Sequence, residues 1–178
     1  MLYAFGFQRV GVVAGDLYFL NPDPEPGQEG PEQGVRLEVR LLERGELPGS
    51  IYSAQPIAID RPVWRADLLE SVDHPGSLDR AHHHPEFRGW EPGPRRFDEA
   101  MSADPVAWVG RRLGDLPTLV DEAGLASDSV ATTDADDLRA AVAEIVDVVH
   151  RLLDRVRKGE LAQPPRELVG DQARLSWL

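Results

Sequence analysis

Residues 35–42 read VRLEVRLL. Val35, Leu37, Val39 and Leu41 take every second place, and Arg36, Glu38, Arg40 and Leu42 fill the places between. Successive side chains of a strand point to opposite faces, so this period of two predicts a strand with one apolar and one charged face. Such a strand suits an antiparallel sheet covered on one side only. The expected fold class is therefore α+β, with an antiparallel β-sheet from the N-terminal part packed on one face by C-terminal helices.

Toward the N-terminus, Tyr3, Phe5 and Phe7 alternate with Ala4, Gly6 and Gln8. Val10 to Val13 is a short apolar run, Ala14-Gly15-Asp16 is turn chemistry, and Leu17 to Leu20 reads as a second strand, which makes a hairpin. Asn21 to Gly34 (NPDPEPGQEGPEQG) has nothing large and apolar to bury and is expected to be an exposed loop. Downstream, Glu43 to Glu46 reads as a turn, and Ser50 to Ile59 as a strand region that Pro56 marks as an edge or a bulge. Val63 to Val72 (VWRADLLESV) is read as strand, although Trp64, Leu68 and Val72 also fit a helix face.

The cover for the sheet is expected from the last third. Asp104-Pro105 is an N-cap followed by proline at the first helical position. Asp115 restarts a helix that Gly124 ends. Thr133 is expected to cap a main helix over 134–158, with Gly159 as its stop. Leu138, Val142, Ile145, Val149, Leu152 and Val156 form its heptad seam, widened by Ala141, Val148 and Leu153. At about 1.5 Å per residue it spans roughly 37 Å. Two roles are open for this seam: a core helix lying across the sheet, which the width of the stripe favours, or a homodimer through helix 134–158.

The whole, 1–178, is read as a single domain. It comprises a strand-rich region (1–72), a His/Arg/Pro-rich loop (73–103), helices over 104–158 and a tail (159–178), whose Leu175 to Leu178 is expected to tuck against the body. The chain has 178 residues, is 42% hydrophobic and 28% charged, and carries a net charge of −12. That charge speaks against a general nucleic-acid binder or a binder of anionic membranes. There is no cysteine, which removes disulfides, zinc–thiolate sites and thiol nucleophiles. No run of about 18 apolar residues predicts a membrane span. The N-terminal stretch lacks a basic start and carries Arg9 and Asp16, so no signal peptide is expected and the cytoplasm is the default location. No phosphate loop follows Gly11 and Gly15, so no nucleotide-cofactor motif is present. Ser50, Ser53 and Ser77 lie in no nucleophile elbow. Glu38 and Glu43 are expected on a solvated strand face.

Chemistry concentrates in residues 79–92, DRAHHHPEFRGWEP, which hold three of the chain's five histidines. In an extended chain His82 and His84 share a face. With a third ligand, taken as Asp79 among the nearby Asp73, His74, Asp79 and Glu86, they form a site for a divalent metal that accepts imidazole and carboxylate, such as Zn, Mn, Fe or Ni. Without metal, His82 and His84 are candidate catalytic acid–base groups. Arg80, Arg88, Arg95 and Arg96 flank them as a clamp for phosphate or carboxylate, with Trp90 beside them. A purely structural role is the third reading: histidines bonded to backbone carbonyls and packed on Trp90.

The run from GDLYFL through VRLEVRLLERGE, SIYSAQPI, RPVWRADLLE and DRAHHHPEFRGWEP to FDEAMSADP resembles a bacterial, actinobacterial family of uncharacterised proteins. The resemblance covers nearly the whole chain and implies a small single domain, without implying an activity. Asp79, Ala81, His82 and His83 are faintly similar to the Asp-x-Ala-Pro-His-His-like tract of TumE-type toxins, whose proline is absent here; that similarity implies action on RNA. Two functions are carried forward. The first is a binding or regulatory module for a protein or small anionic ligand, ranked ahead because no complete catalytic constellation is present. The second is a histidine- or metal-dependent phosphodiester hydrolase, ribonuclease-like and of toxin type.

Overall fold

The computed structural model describes residues 1–24 and 26–164. Five strands, β1 (Leu2–Gly6), β2 (Val10–Leu20), β3 (Pro31–Arg44), β4 (Ile57–Ser71) and β5 (His82–His84), form one antiparallel sheet in the order of the chain. A two-stranded hairpin, β6 (Phe87–Arg88) and β7 (Glu91–Pro92), follows. Then come α1 (Glu99–Ala103), α2 (Pro105–Leu113), α3 (Leu116–Glu122) and α4 (Asp134–Arg157). The architecture is α+β, with the C-terminal helices packed against the N-terminal sheet.

The alternation of 35–42 sets the layers. Val35, Leu37 and Val39 stand opposite Leu68, Ala66 and Trp64 of β4, and opposite Asp16, Ala14 and Val12 of β2. Apart from Asp16 these side chains are buried, and they share one core with Val109 and Leu113 of α2 and with Leu138, Ile145, Val149 and Leu152 of α4. The seam of α4 is thus spent inside the chain, against β2, β3, α2 and α3. The end of the chain, including the expected packing of Leu175 to Leu178, lies outside the described residues. Among the described residues no helix is long and apolar enough to cross a membrane.

Several boundaries differ from the sequence reading. Ala14-Gly15-Asp16 does not turn; β2 runs straight through it. Ala14 is fully buried in the core, and at Gly15 a Cβ would stand 3.2 Å from the Met1 carbonyl oxygen, so the small residues serve close packing. The reversal comes earlier, where the Phe7 amide donates to the Val10 carbonyl. The expected loop up to Gly34 is shorter, because β3 already begins at Pro31. Gly34 has φ of +155°, and a Cβ there would lie 2.1 Å from the Leu68 carbonyl oxygen, so this strand position accepts only glycine. Ser50 to Ser53 forms a turn, and strand resumes only at Ile57. Val63 to Ser71 is strand, as read, and Pro62 falls at a register shift between β3 and β4. The loop 73–103 is not structureless: it supplies β5, the hairpin and α1.

Asp104 and Asp115 cap α2 and α3 through their carboxylates. Thr133 makes no such bond to α4. Its neighbour Asp134 is fully buried. The Asp134 carboxylate accepts from the amides of Gln8, Arg9 and Ala131, at 2.8, 3.2 and 2.6 Å. It thereby ties the β1–β2 turn to the start of α4. Each such bond is worth on the order of 1 kcal/mol net, so Asp134→Ala is expected to cost about 3 kcal/mol. Urea unfolding measures this; an unchanged midpoint would show that the tie carries no weight.

Candidate metal centre

The face of the sheet turned away from the helices is polar, with its carboxylates and histidines buried and its arginines half-buried. Alternation places Arg36, Glu38 and Arg40 of β3 there, with Arg65 and Asp67 of β4 and His82 and His84 of β5. His82 stands directly opposite Asp67, and His84 opposite Arg65, one diagonal step away. Glu38, expected on a solvated face, is buried and paired with Arg40 and Arg65, each at 2.7 Å; Glu43 is the exposed one. The β6–β7 hairpin reaches this face, with Phe87 under the Arg65 guanidinium and Trp90 under that of Arg40.

Local sequence explains why the histidines arrive here. Asp79 organises the reversal after β4: its carboxylate accepts from the Ser71 amide at 2.9 Å and the Ser77 hydroxyl at 2.8 Å. Leu78 takes a positive φ of 49°. The chain then runs extended through Ala81 to His84. Beyond β5, His83 and Arg96 exchange backbone hydrogen bonds, at 3.0 and 2.9 Å, which closes the other side of this short strand.

His82 Nδ1 lies 2.8 Å from the Arg80 carbonyl oxygen, and His84 Nδ1 lies 2.7 Å from that of Gly93. A carbonyl can only accept, so each Nδ1 carries the proton and donates. In a neutral imidazole the other nitrogen, Nε2, then holds a lone pair. Both Nε2 atoms face the same oxygen, Asp67 Oδ2, at 3.4 and 3.7 Å. Three electron-pair donors thus converge, and they lie within 4.8 Å of one another. Donors at about 2.05 Å around a tetrahedral ion stand about 3.3 Å apart, close to the 3.4 and 3.7 Å from the two Nε2 atoms to Asp67 Oδ2. Imidazoles fixed through Nδ1 to backbone carbonyls are the usual outer shell of a metal ligand.

Arg36 holds the carboxylate from the other side, Nε to Oδ1 at 2.7 Å and Nη2 to Oδ2 at 3.2 Å. Burial alone would raise the pKa of Asp67. The Arg36 charge and its two hydrogen bonds work against this, and the carboxyl is held well below the usual carboxylate range. In the same pair burial works against the Arg36 charge, and Asp67 more than restores it.

The sequence reading named His82 and His84, and the structure brings them together. Their carboxylate neighbour is Asp67, not Asp79, which is occupied in the turn. The four arginines disperse. Arg80 donates to the Gly27 carbonyl, and Arg95 reaches Gln28 and the buried Glu32. Arg88 is exposed on the hairpin, and Arg96 pairs with His83 through its backbone. Trp90 is 60% exposed. Asp67, Arg36 and Arg65 carry the polar face without having been singled out as site residues, together with Glu38, expected on a solvated face. Their one sequence signal is alternation, which puts Arg65 and Asp67 on the face opposite Trp64, Ala66 and Leu68. No family model, curated protein or solved structure matches the chain.

The pairing of Asp67 has a pH signature. Its carboxyl titrates lower in the folded than in the unfolded chain, so the stability it contributes is present above the unfolded value of 3.8 and is lost as pH falls below that. In chelator, Asp67→Asn is expected to cost about 3 kcal/mol at pH 6, because it breaks a buried ion pair. The difference from wild type should narrow below about pH 4. Denaturant unfolding at both pH values reads this, and a difference that widens toward acid would contradict the pairing.

Proposed function

We propose that the protein binds one divalent transition-metal ion through His82 Nε2, His84 Nε2 and Asp67 Oδ2, and that the bound ion takes a small anionic ligand. The observation that carries this is the double Nδ1–H anchor, which leaves two imidazole lone pairs and a carboxylate oxygen aimed at one point. Protonating both rings is the alternative way to relieve that convergence. It would put two further positive charges on a buried face that already holds Arg36, Arg40 and Arg65 against Asp67 and Glu38. One ion bound to three donors satisfies the same atoms through coordination. The donor set, two nitrogens and one oxygen, suits Zn, Mn, Fe or Ni.

Three protein ligands leave a coordination position free. Because the guanidinium groups on this face outnumber the carboxylates, an anion such as phosphate or a small carboxylate is the favoured occupant of that position. This agrees with a binding module for a small anionic ligand, in a bacterial protein of the cytoplasm. The ligand count favours one second reading, a phosphodiester hydrolase. A metal with three protein ligands lowers the pKa of a bound water to near 7 and makes it a nucleophile.

Calorimetric titration of tag-free, chelator-treated protein with zinc and manganese tests the site. One ion per chain is expected, weakened roughly 100-fold or more by His82→Ala/His84→Ala or by Asp67→Asn, and retained by Arg88→Ala. Absence of stoichiometric binding, or binding that survives the double substitution, overturns the reading. Titration of the loaded protein with inorganic phosphate tests the anion, and turnover of a chromogenic phosphodiester by loaded protein decides for the hydrolase.

A further inference from the structure

The two ends of the sheet differ. Beyond β5 the backbone of His83 is bonded to that of Arg96. Beyond β1 no described strand follows. Which groups of β1 point outward follows from its pairing with β2. The Phe7 amide donates to the Val10 carbonyl, and the Asp16 amide to the Met1 carbonyl. Between these two points Tyr3 and Phe5 exchange their bonds with Ala14 and Val12. Bonded and non-bonded positions alternate along an antiparallel ladder, so Leu2, Ala4 and Gly6 aim their N–H and C=O groups away from the sheet. Among the described residues nothing takes up these groups, and all three residues are exposed, Leu2 at 70%.

Edge strands are usually blunted by a charge, a proline or a bulge, or covered by another element. The strand LYAFG has no charge and no proline, and its register with β2 is unbroken. Such an edge accepts a further strand, and its own sequence suits a copy of itself. A two-fold axis at Ala4 sets the strand antiparallel to its copy. Ala4 then stands against Ala4, Leu2 against the copy's Gly6, and Tyr3 against the copy's Phe5. Every outward N–H and C=O of Leu2, Ala4 and Gly6 is paired, because these positions meet only one another. An axis at Tyr3 would leave Gly6 unpaired, and an axis at Phe5 would leave Leu2 unpaired.

Side-chain sizes agree with this register. Leu2 comes over a glycine, beside Leu42, which lies 3.6 Å from where a Cβ on Gly6 would be. On the helix side Tyr3 and Phe5 pack at the margin of the core, and the copy turns them into aromatic cross-strand pairs. Charge agrees as well. A chain of net charge −12 repels its copy over most of its surface. At this edge the strand is uncharged, and Arg151 lies over Tyr3 and Arg155 against Met1.

We propose that β1 is a dimer edge: two copies of the chain join antiparallel about a two-fold at Ala4, giving one continuous sheet with the helices of both copies on the same side. The contact is made by the sheet and not by the seam of α4, which its own core occupies. The metal centre lies on β4 and β5, at the far end of the sheet, so the dimer and the metal site stand or fall separately.

Sedimentation equilibrium of tag-free, full-length protein in chelator tests the dimer. The contact uses one short strand per copy, so a weak association is expected, with Kd on the order of 10–100 μM. Ala4→Lys should weaken it roughly tenfold or more, because the two-fold sets like charges directly against each other. Ala4→Pro should abolish it and leave the bonds between β1 and β2 in place, since the N–H it removes points outward. The chain has no cysteine. Ala4→Cys, with the paired Cα atoms about 5.5 Å apart, should therefore link two copies on mild oxidation, and Leu2→Cys, facing a glycine, should not. Hydrogen exchange needs no variant: the amides of Leu2, Ala4 and Gly6 should be protected at high concentration and lose that protection on dilution. A monomer at about 1 mM overturns the proposal. So does a dimer indifferent to Ala4→Lys and Ala4→Pro, or edge amides protected in the monomer, which would mean that the chain covers its own edge.

Discussion

Two backbone carbonyls, those of Arg80 and Gly93, determine what the paired histidines present to the sheet. Each accepts a hydrogen bond from an imidazole Nδ1. Each thereby turns the opposite nitrogen into an acceptor, pointed at the carboxylate of Asp67. Antiparallel register then does the rest: β5 sets His82 across from Asp67, and the diagonal brings His84 to the same oxygen. The convergence is a consequence of pleat, register and two hydrogen bonds, and it needs no special geometry in any one of them.

The polar face around this point is an expensive thing to bury. Isolated buried ion pairs rarely add net stability, because desolvation offsets the attraction. Here the pairs are Arg36–Asp67 and Arg65–Glu38–Arg40, the hairpin aromatics Phe87 and Trp90 lie against Arg65 and Arg40, and each arginine donates to a carboxylate at 2.7–2.8 Å. Such an arrangement fixes which strands pair and in what register, since a slip of one residue would place these charges in the hydrophobic core. The helix-side core holds the molecule together, while the ionic face specifies how β3, β4 and β5 meet. Asp134 has the corresponding role at the other end of the chain order, joining the first turn to the last helix.

How much of this was legible in the sequence follows from which signals are local. The period of two in VRLEVRLL, the caps at Asp104 and Asp115 and the seam of α4 are local patterns, and each element formed where its pattern lies. Ala14-Gly15-Asp16 misled because small residues that permit close packing of strands look the same as turn residues. His82 and His84 were found because alternation within three residues is local. Asp67 was not, because its meeting with them depends on β4 and β5 pairing across the turn organised by Asp79, and nothing in residues 63–72 announces that partner. The expectation that the charged face of β3 is solvated also failed for a non-local reason, since the hairpin that covers it comes from residues 85–93. The arginines were grouped by nearness in sequence, but they lie before β5, on the hairpin and after it, and their side chains leave in different directions.

The tautomers of His82 and His84 test the central relation directly, and ¹⁵N NMR of the imidazole rings reads them in metal-free protein near neutral pH. Both rings should show a protonated Nδ1 and an unprotonated Nε2, and the Nε2 resonances should move together when one equivalent of zinc is added. A proton on either Nε2 in the neutral ring, or rings that ignore the added ion, would mean that the two lone pairs do not face Asp67 and that no metal centre is built here.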